Sequence, residues 1–201
     1  MKVVAQGKAQ TLGTWRRSEK ELRLMGWWQE AIVAAKRNDP AVRSGVEVVL
    51  TYPGVHALFF HKFSHFLYRH KRFLLARIHS QFWRFLTGIE IHPGAKIAPG
   101  VFIDHGMGVV IGETAEIERD VVLFHGVTLG GTGKDTGKRH PTVRQGAFIS
   151  ANAQILGPIE IGARVKIGAG AVVLKSIPTD ATAVGVPAKV VKINGKKVPH
   201  D

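Results

Sequence analysis

Residues 143–173 read VRQGAFISANAQILGPIEIGARVKIGAGAVV, and a large aliphatic stands at every sixth position: Val143, Ile149, Ile155, Ile161, Ile167 and Val173. Two residues earlier comes a small or β-branched residue, as at Ala147, Ala153, Val165 and Ala171. The same register extends back through Ile91, Ile97 and Ile103, then Ile111, Ile117, Leu123 and Leu129. A period of six suits neither a 3.6-residue helix nor an alternating hairpin. It fits a coil with flat sides of one short strand each, the aliphatic pointing inward. Glycine or a small residue is expected at the corners, where turn conformations are needed. A sandwich would instead carry turn signals every 8–12 residues and hairpin dipeptides, and the stretch has neither.

Upstream of Gly88 the rules change. Five of the 23 glycines precede Gly88, and residues 1–88 hold 15 basic against 5 acidic side chains, most of the chain's net charge of +13. The segment MGWWQEAIVAAKRNDPAV has one apolar helical face and stops at Asn38-Asp39-Pro40, a turn signal. From Val42 to Leu86 apolar residues again recur at helical spacing, and the stripe Leu58, Phe59, Phe63, Phe66, Leu67 is expected to be helix-packing core. His61 and His65 stand at i, i+4, but no Glu follows His61 as a zinc-protease helix requires, so no metal is expected there. The chain is expected to divide into an extension (1–24), either loosely ordered or an added helix and dispensable for catalysis, an α-helical domain (25–88), a β-helix (89–192) with a loop at 130–142, and a short tail (193–201). The fold class is α+β.

Two breaks in the six-residue register point to chemistry, because a solenoid accommodates insertions only as loops leaving the coil. Ile103 to Ile111 spans eight residues, the surplus falling in Asp104-His105-Gly106-Met107-Gly108. Leu129 to Val143 spans fourteen and holds GGTGKDTGKRHP. His105 and Arg139-His140 occupy these interruptions. His125, twenty residues after His105, is expected to stack on the same face as a rung of a polar ladder.

The runs IDHGMGVVIGETA and GGTGKDTGKRHP, with NDPAV, YPGVHAL and GVPAKVV around them, resemble serine O-acetyltransferases over residues 25–195. The resemblance implies a left-handed β-helix and transfer of acetyl from acetyl-CoA to the L-serine hydroxyl. It implies that His105 is the general base, that Glu90 orients its imidazole, and that Asp39 and Asp104 hold the serine ammonium. Arg139 and His140 would bind the serine carboxylate, and Ala151 and Lys166 would line the coenzyme A groove. It further implies a homotrimer or a hexamer, and L-cysteine as an inhibitor in the serine site. Many relatives also bind O-acetylserine sulfhydrylase through a tail ending in isoleucine. Here the sequence closes Lys197-Val198-Pro199-His200-Asp201, and a charged terminal side chain is costly to desolvate, so no tight complex through this tail is expected.

That chemistry is coherent by itself. A serine hydroxyl attacking a thioester needs a positioned base with a pKa near 7, which histidine supplies. No Ser or Cys nucleophile with a partner is evident, which favours direct transfer over an acyl-enzyme. A sugar or xenobiotic acetyltransferase would share the coil but lack Asp39 and the Arg139-His140 loop. A zinc hydratase like the γ-class carbonic anhydrases would need a close histidine pair, whereas His105, His125 and His140 are spaced 20 and 15. No nucleic-acid-binding module accompanies the basic half. With no cysteine, no apolar leader and no stretch of 18 apolar residues, a cytoplasmic location without membrane or nucleic-acid partners is expected.

Overall fold

The computed structural model describes residues 26–134 and 136–198. The extension 1–24 and the last three tail residues lie outside the described residues. Among the described residues four helices precede the strands: α1 (Trp27–Asn38), α2 (Gly45–Thr51), α3 (Pro53–Arg69) and α4 (Phe73–Thr87). The helical pattern beyond Val42 is thus three helices. A capping box starts α2, where Ser44 Oγ accepts the Glu47 N–H and the Glu47 carboxylate accepts the Ser44 N–H. Gly88, at φ +70°, ends α4 in the left-handed conformation that glycine adopts without strain. None of the described helices is long and apolar enough to cross a membrane.

The rest is a left-handed β-helix of three parallel sheets. The first stacks β1 (Glu90–Ile91), β4 (Val110–Ile111), β7 (Thr128–Gly130), β10 (Gln154–Leu156) and β13 (Val172–Val173). The second stacks β2 (Lys96–Ile97), β5 (Glu116–Ile117), β8 (Thr142–Val143) and β11 (Glu160–Ile161). The third stacks β3 (Phe102–Ile103), β6 (Val122–Leu123), β9 (Phe148–Ile149), β12 (Lys166–Ile167) and β14 (Ala181–Val184). Strands β15 (Lys189–Ile193) and β16 (Lys196–Lys197) then fold back antiparallel on β14. Part of the segment expected as a tail from 193 therefore closes the last sheet.

Register explains the interruptions. Val110 pairs with Thr128 at a spacing of 18, the coil's own turn, whereas Glu90 pairs with Val110 at 20 and Thr128 with Gln154 at 26. Each insertion leaves the coil without shifting the aliphatics. Twelve of the thirteen are buried, Ile97 alone being half-buried. Corners differ from expectation, because Asp120, Asn152, Arg164 and Asp180 take φ near +60° without being glycine. At Asn152, Arg164 and Asp180 the backbone N–H donates to a carbonyl of the preceding turn, and those bonds offset the strain. The aromatic stripe of α3 is also only partly core: Leu58 is buried, but Phe63 and Phe66 are about half exposed.

Side-chain ties join the helices to the coil. Arg119 donates to Glu30 of α1 at 3.3 Å, and Arg37 donates to Asp120 at 2.9 Å. The i, i+4 histidines of α3 serve the same purpose: His61 Nε2 lies 3.1 Å from the Ala95 carbonyl and His65 Nδ1 lies 2.8 Å from that of Pro93.

Candidate active site

The eight-residue step after Ile103 makes one corner of the site. Asp104 continues the ladder by donating its N–H to the Leu123 carbonyl, and His105 then turns left-handed at φ +58°. That backbone costs a β-carbon-bearing residue about 1 kcal/mol or more, and it projects the imidazole away from the coil, 71% exposed. Its Nε2 lies 3.7 Å from Asp104 Oδ1, too long for a hydrogen bond. The His125 ring stands 5.9 Å away, edge to face, on the same corner one turn on.

Asp39 reaches this corner from α1. As the residue that ends the helix, it donates its N–H to Ala35, and its carboxylate accepts from the Ala41 N–H at 2.8 Å and from the Tyr52 hydroxyl at 2.5 Å. The Tyr52 bond chiefly, then the Ala41 bond, hold the Asp39 carboxyl below the usual range, with the nearby His105 adding to the effect. Burial, with the Asp39 bond second, pushes the Tyr52 hydroxyl up to about 12, so it remains a donor. Asp39, Tyr52, Asp104 and His105 thus share one neighbourhood.

Arg139 and His140 stand at a different corner, between the first and second sheets. The His140 ring is buried, with Nδ1 accepting the Thr114 N–H at 3.1 Å and lying 2.9 Å from Thr114 Oγ1. It rests against Gly112, where any β-carbon would collide with it. Burial first, and then the Arg139 charge, push its pKa down. A neutral ring whose Nδ1 accepts carries its proton on Nε2. Arg139 donates to Glu113 at 2.9 Å, and Glu113 also accepts from the Tyr68 hydroxyl of α3 at 2.8 Å. The Tyr68 bond lowers the Glu113 pKa most, with the His92 and Arg139 charges adding to it.

Glu90, which the resemblance implies orients the His105 imidazole, has its carboxylate engaged by another partner. It faces outward from β1 and pairs with Arg84 of α4 at 3.2 Å, and no ion pair joins it to His105 within 4 Å. Ala151 sits at a coil corner, where its carbonyl accepts the Gly170 N–H, and Lys166 is exposed on β12. Neither is bonded to the residues of the two corners.

Sequence reading passed over Tyr52, Tyr68, Glu113 and Thr114 as site residues. Glu113 and Thr114 had a usable signal, since 26 residues separate Thr114 from His140, the same step that pairs Glu116 with Thr142. Tyr68 lies in a helix and Tyr52 at the junction of two, and the docking of helices on the coil has no period. A cavity of about 520 Å³ beside His61, His65, Glu116 and Glu118 touches neither corner. A second of about 330 Å³ does, lined by Tyr68, Glu113, Thr114 and Lys138. Among the described residues no group of three or more His, Asp or Glu is placed to hold a metal ion.

The family model "Bacterial transferase hexapeptide (six repeats)" matches residues 140–175. A serine acetyltransferase of Bacillus licheniformis is 60% identical over 163 residues, 81% of this chain and 76% of that protein. Among solved structures, the serine acetyltransferase of Brucella abortus in complex with coenzyme A matches with a TM-score of 0.80 at 44% identity, over 82% of this chain and 66% of that one. The Neisseria gonorrhoeae serine acetyltransferase in complex with serine matches with a TM-score of 0.78 at 41% identity, over 81% of this chain and 66% of that one.

Proposed function

We propose, from the premise that the chain belongs to the serine acetyltransferase family, that it transfers acetyl directly from acetyl-CoA to the L-serine hydroxyl with His105 as general base. Reaction class and co-substrate follow from the family and from the relative solved with coenzyme A. One observation carries the mechanism: Asp39, at the end of α1, lies near enough to His105 for the two to interact through charge, and Asp104 lies beside His105 on the coil, which supports a base flanked by two carboxylates. The carboxylates suit the serine ammonium, and the imidazole suits its hydroxyl.

In the reaction His105 accepts the hydroxyl proton as the serine oxygen attacks the thioester carbonyl. The tetrahedral intermediate expels the thiolate, which takes the proton back from the imidazolium. Base catalysis of this kind contributes roughly 10²–10⁴-fold. Glu90 reaches the imidazole only when its pair with Arg84 opens. Arg84 is about half exposed, and such pairs are worth less than about 1 kcal/mol, so opening is easy. Arg139 and His140 hold the serine carboxylate, the guanidinium turning from Glu113 and the neutral ring donating its Nε2–H.

Because the two corners lie on different edges of one coil, the site is completed between neighbouring copies in a homotrimer. L-Cysteine, with the same ammonium and carboxylate, competes with serine there. Ala151 and Lys166 line the coenzyme A groove.

The test is thiol release from acetyl-CoA with L-serine, L-homoserine or a galactoside as acceptor. Serine is expected to be acetylated in strong preference, and a preference for the galactoside would overturn the reading. Arg139→Ala is expected to raise KM for serine about tenfold or more and leave KM for acetyl-CoA nearly unchanged. Equal effects on both would instead give Arg139 to the coenzyme.

A further inference from the structure

Apart from the Tyr52 bond to Asp39, the motif Tyr52-Pro53-Gly54 takes no part in the proposed reaction, yet it occupies the joint between helices and coil. Tyr52 ends α2 by donating its N–H to Val48, and its carbonyl opens α3 by accepting the N–H groups of Val55 and His56. Pro53 follows at the first helical position, where its fixed φ suits the helix start. Gly54 is buried against the Ile103 carbonyl, with no room for a β-carbon. The Tyr52 ring packs near Phe102, the other residue of β3, at 6.5 Å. Thus the motif is clamped to the strand that ends one residue before Asp104, and from there the Tyr52 hydroxyl reaches Asp39.

We propose that Tyr52 is the positioning residue for the serine ammonium: by donating to one oxygen of Asp39 while the Ala41 N–H takes the other, it fixes the carboxylate toward Asp104 and His105. This inference rests on the reading of Asp39 given under Proposed function. Without the hydroxyl, one oxygen of Asp39 keeps no partner among the described residues, and the carboxylate can rotate toward water. Hydrogen bonds to a charged acceptor are the short, strong kind, and 2.5 Å is short even among these. A hydroxyl that stays protonated far above neutrality makes the contact insensitive to working pH.

The experiment is a double-mutant cycle of Tyr52→Phe and Asp39→Asn, with KM for serine, KM for acetyl-CoA and kcat measured for each protein. Phenylalanine keeps the ring beside Phe102 and removes only the donor. Tyr52→Phe is expected to raise KM for serine about tenfold, with KM for acetyl-CoA and kcat moving by less than about threefold. The tenfold effect is expected to vanish in the Asp39→Asn background. Competitive inhibition by 3-hydroxypropanoate, which lacks the ammonium, is expected to be the same in wild type and Tyr52→Phe. An unchanged serine KM in Tyr52→Phe, when Asp39→Asn does raise it, overturns the role of Tyr52 alone. So does a tenfold loss that persists without the Asp39 carboxylate, or one shared by 3-hydroxypropanoate. An unchanged serine KM in Asp39→Asn removes the reading of Asp39 and the role of Tyr52 with it.

Discussion

Leu123 in the coil is fully buried, whereas Leu74 in α4 keeps 73% of its surface exposed, as Phe85 keeps 84%. Both regions are rich in large apolar residues, but they use them differently. In the coil each turn stacks its aliphatics on the turn before, so a period of six is enough to specify the interior. The helices have no such repeat against the coil and are tied to it by particular side chains: Glu30, Arg37, His61, His65 and Tyr68. Stability is therefore expected to reside mainly in the coil, and the geometry of the substrate site in the ties.

The largest expected effect on stability is in the coil core. Leu123→Ala is expected to cost about 3 kcal/mol in denaturant unfolding, within the usual range for a buried leucine. A cost below about 1 kcal/mol would mean that the stacked aliphatics are not what holds the coil.

Acid should separate the regions next. Burial chiefly, with the His65 charge second, pushes His61 down to about 4, whereas in the unfolded chain it titrates near 6.5. The unfolded state thus binds the extra proton between these values, so stability is present above about pH 6.5 and is lost as pH falls toward 4. Between pH 6.5 and 5 the loss from this residue is expected to be about 2 kcal/mol. His61→Gln, which can still donate to the Ala95 carbonyl, should flatten that part of the stability curve. An identical pH dependence in both proteins would refute the assignment.

Ion-pair ties should matter less, and unequally. Glu30 is buried and Arg119 is one-third exposed, so Arg119→Ala is expected to cost about 1–2 kcal/mol, below the value for a fully buried pair. Arg37→Ala removes an exposed partner of Asp120, and less than about 1 kcal/mol should be lost. Equal costs, read from the unfolding midpoints, would show that burial does not grade the ties.

The same contrast explains what was legible in the sequence. Inward positions such as Ile111 and Ile155 could be read from spacing alone, because the coil repeats. The interruptions at His105 and Arg139-His140 stood out for the same reason. Glu90 was assigned by resemblance, and its pairing with Arg84 depended on how α4 docks, which no period encodes. Tyr52 reaches Asp39 from thirteen residues away, and only the folded joint at Gly54 brings them together. The exposed halves of Phe63 and Phe66 were likewise hidden, since helical spacing says which residues share a face and not what lies opposite it.

The most direct test of the mechanism is the turnover of His105→Ala, measured beside its unfolding midpoint. His105 is exposed on a loop outside the stacked core, so the midpoint should stay within about 0.5 kcal/mol of wild type. Serine acetylation should fall by about 10²-fold or more. A folded His105→Ala protein that keeps most of its turnover would contradict the assignment of the base.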